Sequence, residues 1–350
     1  AYLTMAMGDD FAVGIGINAP FGLKLEYADG WLGRFQALNS EITTVNINPS
    51  IAWRASPRVS VGAGVSYQRV DAELTNAVNY SAVVAQGVQQ LVARGQLPAA
   101  AAPGVIASNL GLEGGARVRG DDSAWGFNVG VLFDLTGATR IGLSYRSSID
   151  YEIAGSVRFT EPVVTDPIGA SIVSAAAAGP LASGPASVDI ELPDTALLSL
   201  RQKVGDRFEI LADVGWTGWS AIQELRVVRD TGETVSVTPE TWRDVMRYAI
   251  GGTYALSPTL TLRAGVAYDG SEVTDKHRTV RLPDPARTWL AMGARWQARD
   301  EVLIDVGYAH LFADDAPIEQ DQENAAAYGR VSGHQESSID VLAMQLVYRF

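Results

Sequence analysis

The stretch that most constrains this chain is its last, Asp340 to Phe350, which reads D-V-L-A-M-Q-L-V-Y-R-F. Leu342, Met344, Leu346, Tyr348 and Phe350 share one apolar face, and Val341, Ala343, Gln345, Val347 and Arg349 share a smaller, more polar one. A period of two marks a β-strand. A strand with an apolar outer face and aromatics near its end suits an antiparallel barrel in lipid, where the last stave closes on the first and no backbone group is left unpaired. The rest of the chain is expected to supply the other staves.

Composition narrows the alternatives. The chain has 350 residues, 47% of them hydrophobic, 35 Gly and no Cys. It contains no run of about 18 apolar residues that could cross a bilayer as a helix. The absence of Cys fits passage through an oxidising compartment. A formal net charge of -13 argues against a nucleic-acid partner, which chiefly needs clustered Lys and Arg. Acidic loops suit a lipopolysaccharide surface bridged by divalent cations. The chain opens on A-Y-L-T-M-A-M, with neither an initiating Met nor a signal peptide, so a processed or truncated N-terminus is expected.

Strand candidates recur along the chain. Ala1 to Met7 and Phe11 to Leu23 flank Gly8-Asp9-Asp10, and the second contains Pro20, Phe21 and Gly22 inside an otherwise regular pattern. Pro cannot donate to the ladder and Gly tolerates a bend, so this stave is expected to kink there. Thr43 to Ala55 and Arg58 to Val70 form the next hairpin, and Trp125 to Leu135 and Thr139 to Phe159 another. Ser187 to Val204, Phe208 to Leu225, Arg247 to Leu256, Thr259 to Val273, Thr288 to Ala298, Val302 to Phe312 and the closing strand follow. Two excursions interrupt this rhythm, at 72–122 and 161–185. In the first, Val84, Val88, Leu91 and Val92 recur at helical spacing. A barrel with short turns at one end carries such long loops at its extracellular end.

Alternation assigns the faces. Arg247, Arg263, Asp269, Arg295 and Asp305 fall inward, while Leu260, Leu262, Val266, Leu290, Met292, Val302, Ile304 and Val306 fall outward. Charges inside and aliphatics outside reverse the arrangement of a soluble barrel. The count is about thirteen strands in one domain spanning 1–350. Single-chain bacterial barrels have even strand numbers, so one stave is expected to be missing at the beginning. A general aqueous porin and a structural surface barrel are the rival readings. Small inward residues such as Ala249, Gly251, Ala267, Ala291 and Gly293 favour a packed or greasy interior over a wide channel.

Covalent and metal chemistry find little support. His310 shares the outward face with Tyr308, and His334 lies close to Ser337 and Ser338, but no Ser, His and orienting group converge. His277, His310 and His334 are not at ligand spacing and there is no Cys, so neither a metal nor a cofactor is expected. The acid-rich stretch 313–324 reads as a solvated loop. Most of the Trp residues are expected in interfacial girdles.

Four stretches carry a resemblance: G-I-N-A-P-F-G-L with the following G-R-F-Q-A, N-I-N-P-S-I-A-W, T-W-R-D-V-M-R-Y-A-I-G-G-T-Y, and R-L-P-D-P-A-R-T-W. In colinear order they resemble the outer-membrane long-chain fatty-acid transporter family, which also includes importers of toluene and related aromatic hydrocarbons. The resemblance implies a monomeric fourteen-stranded barrel with an N-terminal hatch and no enzymatic activity. Its partners are then outer-membrane lipid, lipopolysaccharide, and a long-chain fatty acid or another hydrophobic molecule. Substrate is caught at extracellular loops, held in an interior pocket and released sideways at a kinked third strand. The hatch and first strand have no counterpart here. By position, Pro20 and Gly22 match the kink, and Arg243 and, less securely, Arg69 match basic residues that contact the fatty-acid head group. The apolar stripe of Val84, Val88, Leu91 and Val92 suits capture.

Overall fold

The computed structural model describes residues 1–321 and 328–348. Arg349, Phe350 and residues 322–324 of the acid-rich stretch lie outside the described residues. The chain is dominated by antiparallel strands: β1 (Tyr2–Met7), β2 (Phe11–Asn18), β3 (Gly22–Glu26), β4 (Asn39–Ser56) and β5 (Val59–Asn79) come first. Then follow β6 (Glu113–Asp134), β7 (Thr139–Arg146), β8 (Ile149–Thr160), β9 (Gly184–Leu192), β10 (Thr195–Val204), β11 (Phe208–Thr217), β12 (Glu224–Arg229) and β13 (Thr234–Pro239). The last third holds β14 (Val245–Ala255), β15 (Leu260–Asp269), β16 (Arg287–Arg299), β17 (Val302–Ala313), β18 (Ala316–Asp321), β19 (Arg330–Gln335) and β20 (Ser338–Tyr348).

One ladder links them. β1 pairs with β2, and β2 and β3 share β4. The ladder continues through β5 to β6, whose lower half pairs with β7 and upper half with β8. β7 pairs with β10, β8 with β9, β10 with β11, and β9 with the β12–β13 hairpin. β11 then pairs with β14, and the order runs on through β15, β16 and β17 to β20. β18 and β19 form a separate hairpin. The tight connections lie at one end, where Gly8 and Gly205 adopt positive φ (79 and 65°), a conformation that costs glycine little.

The two faces of the staves are chemically distinct, and the distinction reverses along the barrel. Near the tight turns, the outward positions are apolar and exposed, among them Val266, Leu290, Met292, Val306 and Leu346. Aromatics border them: Phe11, Trp53, Phe133, Phe208, Tyr254, Trp296 and Tyr348 are all exposed a few residues from a tight turn, as expected of a lower interfacial girdle. Inward, Arg263 and Arg295 share Asp305 at 3.0 and 2.9 Å, while Arg247 pairs with Asp269 at the far end of the β14–β15 hairpin.

Toward the long-loop end the pattern inverts. Outward positions on β5 and β6 become charged, with Arg69 bridging Asp71 and Asp121 (both 3.0 Å) and Arg117 bridging Glu73 (2.6 Å). The inward residues there, Val70, Ile149, Tyr151, Ile153 and Leu192, are buried in one apolar cluster. This explains why β5 and β6 run beyond their expected ends at Val70 and Trp125. The period of two continues, but its outer face has left the lipid.

The shortened excursion holds α1 (Tyr80–Ala93) and α2 (Ala102–Ser108), and the second holds α3 (Pro167–Ala177). Asn79 caps α1 by accepting the Ala82 N–H, and Asp166 caps α3 by accepting the Gly169 N–H. Tyr80, Val84, Val88, Leu97, Val105 and Val173 pack into a single buried cluster between the three helices.

If the lower outward band faces lipid, Val266→Arg should cost about 2–4 kcal/mol of folding free energy in lipid vesicles. Asp71→Asn, on the charged outer rim, should cost under about 1 kcal/mol, both variants being measured by urea titration in lipid vesicles.

Candidate functional site

Where the inward face is apolar, the upper barrel encloses a narrow cavity of about 80 Å³. Its wall draws Leu23 from β3, Ile42 from β4, Ala72 and Leu74 from β5, Val118 from β6, Ile153 from β8, Val188 and Ile190 from β9, and Leu225 and Val227 from β12. Polar chemistry is concentrated at Glu240, Trp242 and Arg281, which enter from loops between strands. An apolar lining with a few convergent polar groups is the usual chemistry of a small-molecule site.

Arg281 sits in the 270–286 connection between β15 and β16. Its guanidinium donates to Ser40 Oγ (3.4 Å) and Asn76 Oδ1 (3.1 Å), both uncharged. Among the described residues it forms no ion pair with a carboxylate. Burial lowers its pKa to about 10, against the raising effect of the more distant Glu240 charge, so it remains a cation at neutral pH. Glu240, 2% exposed, lies between β13 and β14. The Trp242 indole N–H donates to its Oε2 at 3.1 Å. Burial pushes the Glu240 carboxyl up to about 7, with Trp242 and Arg281 opposing that rise.

The loop carrying Arg281 is fastened from several directions. Tyr27 OH donates to the Val280 carbonyl (2.8 Å), and the Val280 N–H donates to Gln320 Oε1 (3.1 Å). Ser271 Oγ donates to the Asp284 carbonyl (2.7 Å), and Arg287 contacts both Asp284 carboxylate oxygens (2.8 and 2.7 Å). Glu272 and Asp284 meet as a buried carboxyl pair. Burial and the neighbouring Asp284 raise Glu272 well above the ordinary carboxylate range.

Beside the cavity the β2–β3 stave breaks. Asn18 pairs with Asn46 and Gly22 with Thr43, so Ala19, Pro20 and Phe21 lie opposite only Thr44 and Val45. Thr44 compensates: its Oγ1 accepts the Phe21 N–H (3.1 Å) and donates to the Phe21 carbonyl (2.5 Å). The Phe21 ring meets Trp219 edge-on at 5.7 Å, and Trp219 meets Trp242 at 5.3 Å. An aromatic chain thus runs from the break to the cavity wall.

The residues singled out by sequence are dispersed. The discontinuity at Pro20, Phe21 and Gly22 adjoins the cavity. Arg243 is exposed and outside it, donating through Nε to the Ser271 carbonyl (3.1 Å) and through its backbone N–H to the Glu272 carbonyl (3.0 Å). It holds the loop that delivers Arg281. Arg69 faces away from the interior because Gln68 and Val70 take the inward parity of β5, and its ion pairs keep it on the rim. Val84 and Val88 are fully buried, with Leu91 and Val92 partly buried against them. Their apolar stripe therefore closes the helix cluster and offers little open surface.

Arg281, Glu240 and Trp242 were missed. Arg281 opens the R-L-P-D-P stretch, where two prolines stiffen a loop around one cation, a signal present but unread. The three His residues stand apart: His310 Nδ1 and Tyr308 OH contact Asp340 (2.7 and 2.6 Å) on the outer face, His277 contacts Thr274, and His334 lies near Glu336. Among the described residues no three His, Cys, Asp or Glu side chains are grouped to hold a metal.

Comparison with known proteins adds independent findings. A family model described as "Outer membrane protein transport protein (OMPP1/FadL/TodX)" matches residues 1–350. The chain is 28% identical over 323 residues to a long-chain fatty acid transport protein of Escherichia coli O6:H1, covering 92% of this chain and 70% of that one. It superposes on the crystal structure of a FadL homologue from Pseudomonas aeruginosa with a TM-score of 0.84 and 26% identity, over 99% of this chain and 77% of that one. The toluene transporter TodX of P. putida shares the fold at a TM-score of 0.64 and 17% identity, over 99% and 82% of the two chains.

Because burial and the neighbouring Asp284 raise its pKa to about 8, the Glu272 carboxyl stays protonated in the folded loop at pH values where the open chain would ionise it. The stability it lends the loop is present at low pH and lost as the pH rises through that raised value. Hydrogen-exchange protection across residues 270–286 should therefore fall as the pH rises from about 4.5 to about 8 in the native chain, and level off above that. Glu272→Gln should hold that protection constant.

Proposed function

The chain belongs to the family of outer membrane transport proteins, and we propose that it imports hydrophobic compounds passively across the outer membrane, with no covalent chemistry. The staves of the described ladder, with one more, would close a fourteen-stranded barrel that works as a monomer amid lipid and lipopolysaccharide. Capture belongs to the extracellular helix cluster around α1 and α3. The interior cavity then holds the apolar body of the substrate, and the discontinuity at Pro20 to Gly22 lets it leave sideways into the bilayer.

The observation that carries this reading is a cation without a carboxylate partner in an apolar cavity whose wall ends at a strand break. A buried guanidinium is costly unless something completes its hydrogen bonding. Ser40 and Asn76 satisfy only part of its donor fork, and a carboxylate would satisfy the rest bidentately. A long-chain fatty acid fits this combination, with the acid at Arg281 and the tail toward Leu23 and Phe21. The fatty-acid transporter that the chain matches over 92% of its length supports the same class. An aqueous porin is disfavoured because Val70, Ile149, Tyr151, Ile153 and Leu192 fill the interior beside the cavity.

Binding of a long-chain fatty acid and of its methyl ester tests the head-group assignment. Arg281→Ala should weaken the acid by about 1.5–3 kcal/mol and leave the ester unchanged. Equal loss for both, or for neither, would remove the carboxylate site. Deleting Pro20, which makes the two arms of the break equal in length, should leave binding intact and abolish uptake into cells; unchanged uptake would remove lateral exit.

A further inference from the structure

We propose that Glu240 sets the affinity of the cavity for anionic head groups: uncharged, it leaves Arg281 to the ligand, and ionised, it becomes a competing counter-charge. The inference rests on the reading of Arg281 as the head-group cation and adds its regulation.

Geometry carries it. Glu240 and Arg281 line the same cavity from different loops, yet no ion pair joins them. Arg281 rests on the neutral Ser40 and Asn76, and the carboxyl of Glu240 takes one hydrogen bond, from Trp242. An ionised pair at this separation in an apolar surround would attract strongly, and the arrangement leaves it unmade. The charged groups facing Glu240 are few. Arg281 acts on it from the 270–286 loop. Arg119 borders the cavity from an outward position on β6, and β12 offers Leu225 and Val227. Tyr328 also acts electrostatically on Arg281.

The sign follows from burial. The Glu240 carboxyl is pushed up to about 7, so it is neutral under mildly acidic conditions and charged under alkaline ones. An anionic ligand meets one cation and a neutral hydrogen-bond donor below that point. Above it, the ligand meets a cation already facing a carboxylate. A neutral ligand meets no such change. The cavity thus favours singly charged amphiphiles at low pH and loses that preference as Glu240 ionises.

Dodecyl sulfonate stays ionised throughout and is the probe, measured with the full-length protein in amphipol at about pH 6 and about pH 8.5. The wild type should bind about tenfold more weakly at the higher pH, a coupling of ordinary size. Glu240→Gln should bind equally at both and match the wild type at the lower pH. Trp242→Phe removes the hydrogen bond that favours the charged form, so its transition should move to higher pH. That variant provides a second reading should the Gln variant fold poorly. Arg281→Gln should bind weakly at both values. A pH dependence unchanged in Glu240→Gln, or absent from the wild type while Arg281→Gln still weakens binding, overturns the gating and leaves the head-group site standing. Full binding by Arg281→Gln overturns the head-group site and the gating with it.

Discussion

The backbone of a chain crossing lipid must pair every N–H and C=O with another part of itself, and this one does so with a long antiparallel ladder. Once the ladder is fixed, the remaining variable is which side chains take which face. The chain uses that variable in two opposite senses. Near the tight turns it places Val266, Met292 and Leu346 outward and ion-paired Arg and Asp inward. Above, it places Arg69, Asp71 and Glu73 outward and Val70, Ile153 and Leu192 inward. A barrel wet inside and greasy outside becomes greasy inside and wet outside within one continuous stave. The cavity exists because of that reversal, since only the part standing clear of the bilayer can turn its apolar side chains to the lumen.

The polar groups of the cavity come from places where the ladder is interrupted. A stave offers fixed alternation, and a charged residue on it is committed to one wall. Loops that dip into the lumen escape this rule. The 270–286 loop brings Arg281 inward; Tyr27, Gln320 and Arg243 fasten it from three separate segments, and Ser271 ties it to its own Asp284 carbonyl. The break at Ala19 to Phe21 is a second interruption, held open by Thr44 in place of a ladder partner. Phe21, Trp219 and Trp242 connect the two in edge-to-face contact. These edge-to-face contacts place Trp242, on the cavity wall, and Phe21, at the strand break, in one aromatic chain.

What the sequence disclosed follows from the same logic. Alternation was readable wherever one face met lipid, so the lower halves of β14 to β17 and their inward ion pairs were legible, as was the discontinuity at Pro20. Reading failed where lipid no longer imposed an apolar outer face. The upper halves of β5 and β6 looked like loop because Asp71, Glu73, Arg117 and Arg119 stand outward there. The β12–β13 and β18–β19 hairpins were hidden for the same reason. Helical spacing located α1, but spacing alone does not say whether Val84 and Val88 face a ligand or one another, and here they face one another. Position in the chain points to Arg243 and Arg69, whereas a place on the apolar cavity wall is a property of the folded lumen and belongs to Arg281.

Arg281 also shows why such a cation persists. An arginine buried without a carboxylate contributes nothing to stability that an apolar residue of similar volume could not match. The surrounding structure nonetheless commits much to holding it: two uncharged acceptors, a loop pinned at both ends, and a neighbouring carboxyl kept apart from it. Glu240 lies in the same cavity and acts on the cation without pairing with it. A fold selected for stability alone would have let these two meet. Keeping them apart leaves a cation without a carboxylate partner beside an apolar volume, the condition that the proposed carboxylate-tipped substrate requires.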